Sequence, residues 1–119
     1  MTSKSLKIVH LTSVHKRFDT RIFKKQCISL SRKGHYNVSL IVADGLGSTK
    51  HKNINIYDVG PSKNRLDRIF KSAKKIYLKA LDLDCDIYHL HDPELLNIGL
   101  KLKNKGKKVI FDSHEDVSE

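Results

Sequence analysis

The sequence holds only two cysteines, two prolines and six glycines among its 119 residues. No window in it approaches the ~20 consecutive apolar residues of a membrane-crossing helix. Each scarcity removes a class of protein. Cys27 and Cys85 alone cannot build the disulfide framework of a small secreted domain, and Cys27 falls in an amphipathic run where any small apolar side chain would serve. So few prolines and glycines, with 39% hydrophobic and 30% charged residues, exclude a fibrous or a disordered chain. Met1-Thr2-Ser3-Lys4-Ser5 leads straight into a strand-like run with no apolar stretch of signal-peptide length, so a cytoplasmic, reducing location is expected. Internal repeats and low-complexity segments are also missing, and the length suits one domain, 1–119, with a single layered core.

Acidic residues are scarce beside basic ones: 13 Asp and Glu against 23 Lys and Arg, a formal charge of +10. That excess draws in nucleic acid, phosphorylated ligands or anionic lipid headgroups without selecting among them, because long-range attraction carries no shape.

What is present is an alternation. Lys7-Ile8-Val9-His10-Leu11-Thr12 reads as a first strand, and Asp19 or Thr20 can cap a helix carrying Ile22, Phe23, Cys27 and Leu30 on one face until Gly34. Val38 to Ala43 is a second strand. Ile54 and Ile56, with Val59, alternate with polar neighbours as a third, suited to the edge of a sheet. From Asn64 to Leu81, Leu66, Ile69, Phe70, Ala73, Ile76, Tyr77, Ala80 and Leu81 recur at helical spacing among lysines and arginines. Asp86 to Leu90 gives a fourth strand, Pro93 opens a helix over Glu94–Leu102 that Gly106 ends, and Lys108 to Phe111 gives a fifth. Strands alternating with helices of crossover length predict right-handed βαβ units. The expected fold is an α/β doubly wound parallel sheet with helices on both faces. A sheet that stops at its fifth strand without a covering helix reads as part of a larger unit.

Such sheets bind ligands at the carboxyl ends of their strands. The informative residues there are Ser13 and His15 after the first strand, His91 and Asp92 after the fourth, and His114 and Glu115 after the fifth. The imidazole of His91 can act as donor, base or phosphate contact, beside Asp92 and a helix start at Pro93 that favours negative charge. The plainer alternative is that Asp92 caps that helix and His91 bonds a backbone carbonyl. His89, on a face expected to lie under helices, reads as structural. The run His89-x-His91-Asp92 with His114-Glu115 contains zinc-ligand types, but no Cys pair joins it, and no metal is assigned. Thr12 to Thr20 contains no glycine, so the close backbone approach that a dinucleotide pyrophosphate needs is missing. Asp44, before Gly45, reads as a turn residue. Lys71, Lys74 and Lys75 form a basic rim able to meet an anionic membrane, while the apolar stripe of the same helix covers the sheet. Tyr77, Phe70 and Phe23 fall on apolar helix faces, so the stacking platforms of single-strand binders are not expected and nucleic acid is a poor partner.

Three segments then carry a resemblance: Ser13-Val14-His15 with Asp19-Thr20-Arg21-Ile22-Phe23, Ile87-Tyr88-His89-Leu90-His91-Asp92-Pro93-Glu94-Leu95-Leu96, and Val109-Ile110-Phe111-Asp112-Ser113-His114-Glu115-Asp116. Together they resemble the amino-terminal, Rossmann-like domain of the retaining GT-B glycosyltransferases that build bacterial surface polysaccharides. The resemblance implies half of a GT-B architecture, with the acceptor received here and the nucleotide-sugar donor held by a carboxyl-terminal domain outside this chain. It implies His91 as the catalytic residue near the transferred sugar, the Ser13 to Asp19 loop bordering donor phosphate or acceptor, and Asp92, His114 and Glu115 on the substrate side. The acceptor it implies is a sugar or a lipid-linked one, reached by a cytoplasmic enzyme peripheral to the inner face of the membrane. The nucleotide sugar would serve as co-substrate and no separate cofactor is expected. The chain departs from the family in having Ser13-Val14-His15-Lys16-Arg17 where many relatives carry a Gly-rich loop. The rival expectation is a stand-alone basic module that binds anionic lipid or nucleic acid without chemistry.

Overall fold

A computed structural model describes residues 6–13, 17, 22, 27 and 36–111. The strands are β1 (Leu6–Leu11), β2 (Tyr36–Val42), β3 (Thr49–His51), β4 (Ile54–Asp58), β5 (Ile87–Leu90) and β6 (Lys108–Phe111). They form one sheet in the order β3-β4-β2-β1-β5-β6, parallel throughout except for β3. The fold is Rossmann-like α/β, as the alternation predicts. All five expected strands are present, and the reversal of strand order falls between β1 and β5.

Side chains alternate across this sheet and divide the core in two. Val9, Leu11, Ile41, Tyr88 and Leu90 face one side, where Ala73, Ile76, Ala80, Ile98 and Leu102 from the helices cover them. Val38, Leu40, Val42, Ile54 and Ile56 face the other and bury Ile22 and Cys27. The expected first helix otherwise lies outside the described residues. Cys27 is fully buried, and desolvation pushes its thiol far up, consistent with a packing role.

The strongest helix signal in the sequence yields a composite helix. It comprises α1 (Arg65–Asp67), a π-helical segment Arg68–Ser72, and α2 (Ala73–Leu83). Asn64 caps its start by accepting from the Asp67 N–H at 2.8 Å, and Asp67 reciprocates by accepting from the Lys63 N–H at 2.7 Å. At its end Asp84 turns left-handed, φ 47°, and donates its N–H to Ala80 and Leu81. The π segment corrects one expectation. Leu66 and Phe70 belong to the apolar stripe by spacing, yet they are 66% and 69% exposed. The wider π turn adds residues per turn and rotates the preceding side chains off the buried face. The helix after β5 opens as a 3₁₀ turn at Pro93–Leu95 and continues as α3 (Leu96–Asn104).

A second correction concerns the edge. β4 is not the edge strand, because β3 pairs antiparallel with it, His51 opposite Ile54. The connecting Lys52 and Asn53 both take positive φ, 51° and 68°, the backbone of a tight hairpin turn. β3 is three exposed polar residues, so it leaves no hydrophobic period to read.

The loop after β2 is tied to the body of the sheet by the carboxylate of Asp58. Asp58 accepts N–H bonds from Gly45 at 3.1 Å, Gly47 at 2.8 Å and Gly60 at 2.8 Å. Burial works to raise the Asp58 pKa, but these bonds to the anion prevail and hold it below the usual carboxylate value. A lowered folded-state pKa means that its contribution is complete above the unfolded value near ~4 and is lost as pH falls through the folded one. Asp58→Asn is therefore expected to cost about 1–2 kcal/mol at neutral pH, with the wild-type and variant stabilities converging on acidification below about pH 4. Urea titrations at stepped pH read this directly. A gap that stayed constant down to pH 3 would contradict it.

Candidate functional site

The carboxyl ends of β1 and β5 stand side by side, Leu11 in register with Leu90. A backbone bond extends this pairing past the strand ends, His91 N–H donating to the Leu11 carbonyl at 3.1 Å, and Thr12 N–H extends the pairing of β1 with β2 by donating to the Ile41 carbonyl at 3.1 Å. Thr12, Ser13, His91 and Asp92 are all buried at this rim.

Asp92 is its centre. One carboxylate oxygen, Oδ2, accepts from Thr12 Oγ1 at 2.8 Å, from the Ser13 N–H at 2.6 Å, and lies 3.3 Å from Ser13 Oγ. Ser13 has a single hydroxyl proton, and its shorter bond runs to Glu94 Oε2. Glu94 in turn accepts from Arg68 Nε at 2.8 Å. The plain alternative for Asp92, a helix cap, is corrected by this geometry: its side chain makes no capping bond. Only its carbonyl serves the turn, accepting from Leu95 N–H at 2.9 Å. The carboxylate is turned across the sheet instead, and it ties the exit of β1 to the exit of β5. The π segment joins the same network through Arg68, and Pro93–Leu95 through Glu94.

His91 is fully buried beneath this rim, with Nε2 2.7 Å from Nδ1 of His10. His10 and His89 are register partners on β1 and β5, and His91 follows His89 two residues on, so all three imidazoles share one face of the sheet. Their ring centroids are 4.4 to 5.0 Å apart with planes inclined by 13 to 27°. This face is the one opposite α2 and α3, and His89 is only partly buried on it. His10 has no place in the sequence reading. Within Lys7–Thr12 it looks like any core position, and only the register of two strands distant in sequence reveals its partners.

Arg17 is a second residue that sequence reasoning passed over. Its guanidinium, nearly buried, grips Asp44 through Nε and Nη2, each at 2.7 Å, and Nη2 also donates to the Gly47 carbonyl at 2.6 Å. The fork geometry is the strongest form of Arg–carboxylate pairing. The hydrogen bond from Arg17 holds the Asp44 carboxyl below its usual range. Asp44 also accepts from Leu46 N–H at 3.1 Å, the turn role expected of it. Together the pair fastens the loop after β1 to the loop after β2.

Of the residues expected at the site, the structure brings together Ser13, His91 and Asp92. His15, Asp19, His114 and Glu115 lie outside the described residues. Lys71, Lys74 and Lys75 are exposed on the composite helix. Between α2 and α3 a groove of about 450 Å³ opens, floored by Ala73 and Ile98 and flanked by Phe70, Leu78, Lys74 and Lys101. No helix among the described residues is long and apolar enough to cross a membrane.

Compared with known proteins, the chain matches no family model and no curated sequence.

Proposed function

We propose that this chain is the acceptor-side domain of a nucleotide-sugar-dependent glycosyltransferase, its donor domain lying outside the 119 residues. The observation that carries the reading is the Asp92 carboxylate bridging the ends of β1 and β5 where the strand order of a Rossmann-like sheet reverses. In this fold class ligands bind at that reversal. A buried carboxylate held by two donors there keeps two loops in one geometry, which is what positioning an acceptor hydroxyl against a sugar donor requires. The resemblance of the His91-Asp92-Pro93-Glu94 segment to the sugar transferases supports the same assignment. On this reading Asp92 and Ser13 position the rim, Glu94 and Arg68 brace it, and His91 lies beside the transferred sugar. The leaving nucleotide phosphate and its charge belong to the second domain.

Transfer itself is the test. The complete gene product, incubated with membranes and a panel of radiolabelled nucleotide sugars, is expected to move label into an acceptor fraction. If it sediments with anionic vesicles but transfers nothing from any donor, the catalytic reading gives way to the basic binding module.

A further inference from the structure

We infer that His10, His89 and His91 form a binding site for one borderline divalent cation of the zinc, cobalt and nickel type. The three side chains each offer a ring nitrogen, and these nitrogens all lie within 4.8 Å of one another. Two features of the fold produce the cluster. His10 and His89 are opposite one another on adjacent parallel strands, and the 4.8 Å between their ring centroids matches the strand spacing. His91 returns to the same face one period later, 4.4 Å from the ring of His89. A sheet therefore holds three imidazoles on a rigid backbone, the support that a metal site needs.

The chemistry of the set selects the ion. Neutral imidazole suits zinc, copper, iron and nickel, while magnesium and calcium require oxygen ligands. The closest contact, His10 Nδ1 to His91 Nε2 at 2.7 Å, is a hydrogen bond with one proton between two nitrogens. A cation takes both lone pairs once that proton has moved to the other nitrogen of its ring. The two nitrogens then separate to ~3.3 Å, the spacing implied by Zn–N bonds of about 2.0–2.1 Å at a tetrahedral angle. Found distances of 2.7 to 4.8 Å bracket that value, and binding requires the rings to turn so that their lone pairs converge on one ion. Three histidines leave the fourth position of a tetrahedral ion for water or a ligand. The inference does not rest on the sugar-transfer reading, since it needs only the cluster.

The experiment is a titration of the purified, chelator-stripped chain with Co²⁺ alone, followed by visible absorption and competed with Zn²⁺. One equivalent giving the intense bands of a tetrahedral nitrogen site, displaced by zinc, is the expected result. His10→Ala and His89→Ala should each weaken binding by more than the ~10–100-fold that loss of a mere outer-shell partner costs, while His51→Ala leaves it unchanged. The wild-type spectrum stands whether or not the variants fold, and His89→Gln, at a partly exposed position, is the milder substitution. A weak octahedral spectrum from the wild-type chain overturns the proposal. So does tight binding that survives both His10→Ala and His89→Ala.

Discussion

Asp92→Ala is expected to lower the free energy of unfolding by about 2–5 kcal/mol, a large part of the 5–15 kcal/mol typical of a domain. The carboxylate is buried and is the acceptor for Thr12 Oγ1 and the Ser13 N–H. Truncation strands these donors away from water, and each buried unsatisfied donor costs about 1–3 kcal/mol. Asp92→Asn keeps one carbonyl oxygen in place and should forfeit about half as much, whereas Glu94→Ala, which is itself nearer solvent and pairs with the half-buried Arg68, should cost less than either. Denaturant midpoints for the three variants give the order. If Asp92→Ala unfolded at the wild-type midpoint, the bridge between β1 and β5 would contribute nothing to the fold.

On the proposed sugar-transfer reading, His91→Ala in the complete gene product is expected to lower kcat by roughly 10²-fold or more, the scale on which one preorganised donor to developing charge acts. The ring is buried at the end of β5, directly before Asp92, and its Nε2 is committed to His10 at 2.7 Å. Two causes of lost activity must then be separated. A group that acts on the transition state lowers kcat with little change in KM, while a packing defect moves the thermal midpoint and loosens substrate binding as well. His10→Ala provides the comparison: it removes the same hydrogen bond from the other side and should disturb turnover less. Near-normal turnover in His91→Ala would take His91 out of the reaction.

The two variants probe parts of the molecule that were legible to different degrees. Strand identity follows from composition: Val38 to Val42 and Ile87 to Leu90 are short, branched and bounded by turn residues, and parallel strands buried on both faces need nothing more. The composite helix is legible for the same reason in its second half, where Ala73, Ile76 and Ala80 repeat toward the sheet. Its first half is not, since a π turn leaves the spacing of Leu66 and Phe70 intact in the sequence while rotating both into solvent. The β3 hairpin escaped because an exposed three-residue strand buries nothing and so imposes no pattern.

At the rim, sequence identifies which strand ends carry polar groups, and Ser13, His91 and Asp92 follow from that alone. Direction is a different matter. Asp92 before Pro93 satisfies every local rule for a helix cap, and a local rule contains no information about Thr12 and Ser13, some 80 positions away. His10 is hidden in the same way, since its partners sit 79 and 81 residues on. What sequence alone determined here is the alternation of strands and helices, and hence the Rossmann-like sheet, because hydrophobic period and turn chemistry act over a few residues. Only the tertiary structure decided that Asp92 bridges rather than caps, that Arg17 holds Asp44, and that three histidines meet on one face. Those contacts depend on the register between β1 and β5, which is set by packing of the whole sheet and is written in no single segment.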